Sequence, residues 1–118
     1  MAAAKLKLVI DQGATFEKVI TWKAGEPATP VNLTGCTARM HVREGIDSPT
    51  TLLELTTENG GIALGGALGI ITLRLSATAT TALSWLTGVY DLEIVYADDR
   101  VRRLLAGAVN VSREVTRT

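Results

Sequence analysis

His41 is the one histidine of this 118-residue chain and Cys36 its one cysteine, so the search for chemistry starts with them. Nucleophilic catalysis needs a serine or cysteine beside a histidine that a third group orients. His41 stands in "TARMHVRE" between Arg39 and Arg43, on what reads as the polar side of a strand. A solvated surface histidine is expected there, not a general base. A lone histidine beside scattered carboxylates also lacks the ligand spacing of a metal site. Cys36 can form neither an intrachain disulfide nor a zinc cluster, and its thiol is expected as a small hydrophobe on a strand. Asp98-Asp99 falls where a hairpin must turn. The glycines of "NGGIALGGALG" precede no Lys-Ser or Lys-Thr and no switch from strand to helix, so they read as turns, not as a phosphate cradle. No catalytic residue, cofactor or metal is expected.

The cationic side chains suggest a different use. Arg39, His41 and Arg43, together with Arg102 and Arg103 near the last hairpin, form a candidate protein-contact face. The competing reading is a solvated strand surface whose charges discourage edge pairing. Tyr90 and Tyr96 share the apolar side of a strand and are expected in the core. Trp22 and Trp85 stand apart from each other, each either core or interface anchor.

The elements that must carry these residues read as strands. "KLKLVI" is followed by a break at "DQG", and "ATFEKVITW" sets Phe16, Ile20 and Trp22 on one face. "KAGEPATPVNLTG" is a loop with a short extended piece at Val31 to Leu33. Next, Cys36, Ala38, Met40 and Val42 alternate with Thr37, Arg39, His41 and Arg43, which turns a small apolar set inward and a cationic row outward. "TLLELTT" is expected to pair back as a hairpin that brings Glu54 to that row. Turn residues at Asn59-Gly60-Gly61 separate it from strands at Ile62 to Leu64 and Ile70 to Leu75. "SATATTALSW" is the one helical stretch, with Ser76 as its cap. "GVYDLEIVYA" and "VRRLLAGAVNVS" form the last hairpin about "DDR", with Gly107 a bulge or a point of close approach.

The reading is therefore a single-domain, all-β antiparallel sandwich, immunoglobulin-like or related. It has roughly seven or eight strands and at most one short helix. One domain fits residues 1–118, with 1–10 and 112–118 as arms that could reach a neighbour. A composition that is 47% hydrophobic but only 4% aromatic calls for a core of Val, Leu, Ile and Ala. Twelve basic and twelve acidic residues cancel, which removes the field expected of a nucleic-acid binder. Lys5 and Lys7 interrupt what would be the apolar core of a signal peptide. The longest uncharged run, Leu75 to Tyr90, is short of the roughly 20 apolar residues a spanning helix needs. Neither membrane nor nucleic-acid partners are expected, and the triplets at Asn32 and Asn110 are read as chance matches to a glycosylation signal.

Two stretches resemble a known group. Val31-Asn32-Leu33-Thr34-Gly35 followed by Thr37-Ala38-Arg39, and "GVYDLEIVYADDRVRRLLAGAVNVSREVTR" at the end, are similar to small bacteriophage and prophage virion proteins. Among these are the N-terminal domains of baseplate upper proteins and tail-fibre adaptors. The resemblance covers most of the chain and rests on structural punctuation. It implies a non-enzymatic tail, baseplate, neck or fibre-adaptor component of the virion, made in the bacterial host cytoplasm. Such a component contacts other virion proteins and is present as a symmetric homo-oligomer or as repeated copies. The alternatives are a capsid decoration protein, or a carbohydrate-binding module, whose mark would be an exposed aromatic platform.

Overall fold

The computed structural model describes residues 3–116. In chain order, Ala4–Lys5 (β1), Leu8–Asp11 (β2) and Phe16–Thr21 (β3) come first, then the two-residue strands Lys23–Ala24 (β4) and Thr29–Pro30 (β5). Thr37–Arg43 (β6), Thr51–Thr56 (β7), Ile62–Leu64 (β8) and Ile70–Leu75 (β9) form the middle. A short helix, Ala77–Thr81 (α1), precedes the long hairpin of Thr87–Val95 (β10) and Val101–Ser112 (β11). The fold is all-β. Eight of the described strands have three or more residues and three have two.

The larger sheet runs β1-β11-β10-β6-β7, with β2 also on β11, and the smaller runs β3-β9-β8. Strict alternation explains how they meet. In β6 the side chains of Ala38, Met40 and Val42 are at most 1% exposed, and in β10 Leu92 and Ile94 are fully buried. Ile62, Ile71 and Leu73 of the smaller sheet join the same hydrophobic cluster, so the two sheets share one core. Each such aliphatic side chain contributes about 1.5–3 kcal/mol on burial. The helix is short because three threonines dilute its propensity. It forms where Ser76 Oγ accepts the Ala79 N–H, and it is pinned by fully buried Thr80, whose hydroxyl donates to the Ala14 carbonyl.

Four details differ from the sequence reading. The pairing is not antiparallel throughout, since β1 and β2 both run parallel to β11. These strands also occupy residues 4–11, so the described part of the expected N-terminal arm is an edge of its own sheet, with Leu8 and Ile10 buried. Val31 to Leu33 forms no strand; Thr29–Pro30 pairs with Lys23–Ala24 instead, and Leu33 is buried with its N–H on the Gly66 carbonyl. The bulge of β11 falls not at Gly107 but at Leu104: Leu92 pairs with Leu105 and Glu93 with Arg103. The extra residue reverses the alternation, which is why consecutive Leu104 and Leu105 are both buried. Gly107 serves as the point of close approach, where a Cβ would lie 2.3 Å from the Leu6 carbonyl oxygen.

Candidate contact face

The outward residues of β6 sit between two strands that supply acids. Cross-strand register places Arg39 beside Glu93 and His41 between Asp91 and Glu54, while Arg103 of β11 stands opposite Glu93. The side chains close on these neighbours: Arg39 Nε pairs with Glu93 at 2.8 Å and Arg103 Nε with Asp91 at 3.4 Å, while His41 Nε2 hydrogen-bonds Glu54 at 2.9 Å. In the row that looks cationic along β6, Arg39 is thus paired by Glu93 of β10 and His41 is held by Glu54 of β7, while Arg43 bonds His41 and the Ser48 carbonyl. Such cross-strand pairs fix register as much as they stabilise, each being worth roughly 0.2–1 kcal/mol.

The state of His41 follows from its neighbours. Arg43 donates to Nδ1 at 3.3 Å and, because a guanidinium has no acceptor, Nδ1 must be unprotonated. Nε2 then carries the hydrogen and donates to Glu54. Arg43 also donates to the Ser48 carbonyl at 3.1 Å, which ties the face to the loop between β6 and β7. A shallow depression among Lys5, His41, Asp91 and Arg103 opens on this surface. Both imidazole nitrogens are engaged, by Arg43 and by Glu54, so the arrangement offers polar and charged groups on an open surface.

The candidate residues divide between two sides. Arg39, His41, Arg43 and Arg103 share the outer face, whereas Arg102 pairs in register with buried Ile94 and stacks over Trp22, 5.2 Å from the ring centroid. Adjacent residues of a strand point to opposite faces, and that period separates Arg102 from Arg103. Arg100 lies at the hairpin tip, over the Tyr96 ring at 4.8 Å. Chiefly its backbone N–H, with the guanidinium adding, holds the Asp98 carboxyl below its ordinary range. Tyr90 is buried as expected, while Tyr96, Trp22 and Trp85 are only partly buried. Cys36 is half-buried against the core. Among the described residues no group of His, Cys, Asp and Glu is placed to hold a metal, and no helix is long and apolar enough to cross a membrane.

The sequence reading missed the role of Asn59. Its Oδ1 accepts from the Thr56 and Gly61 N–H groups at 2.9 and 2.8 Å, and its Nδ2 donates to the Glu54 carbonyl at 3.0 Å. Thr57 donates to Ala38 of β6, so by alternation Thr56 and Glu54 direct their main chain to the open side of β7. Asn59 therefore occupies the outer edge of β7 as a neighbouring strand would. The signal was the Asn-Gly turn itself, read only as a turn.

Compared with known proteins, the chain matches no family model and no curated protein.

Proposed function

We propose that this protein is a non-enzymatic structural component of a bacteriophage particle, working through protein–protein contacts in the tail, baseplate, neck or fibre adaptor. The observation that carries the reading is the turn at Val31 to Gly35 leading into Thr37-Ala38-Arg39, one of the two stretches that resemble virion proteins. Asn32 Oδ1 accepts the Thr34 N–H at 3.0 Å, Leu33 is buried, and Gly35 has φ +83, so "NLTG" makes a rigid corner. The corner delivers β6 between β10 and β7, where its outer residues form the ion-paired face. The motif is thus fold-determining, and a shared motif of that kind is what a shared scaffold would preserve. A sheet face bearing paired charges can meet a neighbour by exchanging partners at small cost.

Mass spectrometry of density-gradient-purified particles from the producing bacterium tests this reading. The protein is expected in the particle fraction at a copy number that is a multiple of a rotational symmetry. Its confinement to the soluble lysate, with particles present, would overturn it.

A further inference from the structure

The two sheets present four edges, and three of them are blunted. Asn59 caps β7, β8 has only three residues, and the β1–β2 edge is interrupted at Leu6 and Lys7. The fourth edge, β3, is six residues long, pairs only with β9, and carries Val19 at its centre with 55% of its surface exposed. An uncapped edge strand with an exposed β-branched residue is a template for another strand.

Which groups that edge offers follows from the register. Ile70 and Arg74 of β9 direct their main chain to the β8 side, since Gly65 donates to the Ile70 carbonyl and Arg74 donates to the Gly61 carbonyl. Their partners in β3 are Thr21 and Glu17, and Val19 lies midway opposite Thr72. By alternation Glu17, Val19 and Thr21 turn their N–H and C=O groups to the open side. Trp22 agrees, because its N–H points inward to the Gly69 carbonyl.

We propose that β3 is a strand-addition edge that pairs antiparallel with β3 of a second copy of this chain, across a two-fold axis at Val19. A two-fold perpendicular to the sheet keeps each residue on its own face. The allowed registers are therefore those centred on one residue. Centring on Val19 places Glu17 opposite Thr21 and Lys18 opposite Ile20, and all three open residues bond. Centring on Lys18 or Glu17 sets like charges directly opposite, which the charge pattern of "FEKVIT" disfavours. The inference deepens the assembly reading by naming a partner surface, and rests on it only for its biological setting.

Val19→Cys in a Cys36→Ser background tests the register. Across the axis a hydrogen-bonded pair has a Cα separation of about 5.5 Å. That lies within the roughly 4.4–6.8 Å a disulfide spans. Under mild oxidation V19C is expected to form a covalent dimer, while T21C, displaced by four residues or about 13 Å along the strand, is not. Val19→Pro removes only the outward N–H, so the inner ladder to β9 is kept, and light scattering is expected to find it monomeric at concentrations where the wild type dimerises. The proposal is overturned if V19C stays monomeric, if T21C cross-links equally well, or if V19P associates like the wild type. Particle incorporation without V19C cross-linking would leave the assembly reading standing and this edge wrong; cross-linking without incorporation would do the reverse.

Discussion

The Tyr90 hydroxyl donates to the Leu6 carbonyl at 2.6 Å, joining the centre of the last hairpin to the N-terminal edge strand across 84 positions of sequence. The contact lies where β1 and β2 part, and Leu6 also donates to the Ala106 carbonyl at 3.0 Å. One phenol thus bridges the interruption in the parallel pairing. Tyr90→Phe is expected to cost about 1–2 kcal/mol, because the part-buried carbonyl loses its partner while the ring still packs. Burial pushes the Tyr90 phenol from 10.0 up to about 12. A proton held more tightly in the folded state stabilises it below about pH 10, and that contribution is lost as pH rises towards 12. Urea unfolding between about pH 9 and pH 12 is expected to show an alkaline decline that is shallower in Tyr90→Phe.

Gly107→Ala tests the same junction from the other strand. Its Cβ would meet main-chain atoms of Leu6, which cannot rotate away as a side chain could. A loss of about 1–3 kcal/mol is expected in chemical unfolding, with early hydrogen exchange along β1.

Asn59→Ala removes the cap of the β7 edge. The Thr56 and Gly61 N–H groups and the Glu54 carbonyl lose their partners, though water reaches this exposed turn, so the loss is expected near 1 kcal/mol. The second expected effect is a rise in concentration-dependent association, since β7 then presents an open edge. Dynamic light scattering of the wild type and N59A at equal concentration reads it.

Glu54→Gln should do little to stability. The His41 and Glu54 side chains are 38% and 56% exposed, and a pair so solvated contributes under about 1 kcal/mol. Thermal unfolding of E54Q is expected to lie within a few degrees of the wild type.

Much of this architecture can be read in the chain because the informative patterns are local. Ile62–Leu64 forms a strand between Gly61 and Gly65, Ile70–Leu75 forms one after Gly69, and Ser76 caps the one short helix as its position predicts. The alternation from Cys36 to Arg43 sets the inner and outer faces of β6, and Glu54 meets His41 once the hairpin closes. What stayed hidden depends on partners far away in sequence. Periodicity assigns Leu8 and Ile10 to a buried face but carries no information that β11, rather than β3, receives them, or that it does so in parallel. Leu104 looks like an ordinary strand residue until Leu92 and Glu93 count one residue fewer opposite it. Arg102 was separable from Arg103 by the period of two alone. Its stacking on Trp22 needed the fold.

The central claim, a structural part acting through its faces and edges, is tested most directly by complementation. A producing strain lacking this chain would be supplied with the wild type, and infectious particles counted. The account predicts that particle yield falls without the chain and is restored by the wild type, which is then found in the purified particles. An undiminished yield without the chain, or rescue with the protein absent from the purified particles, would contradict it.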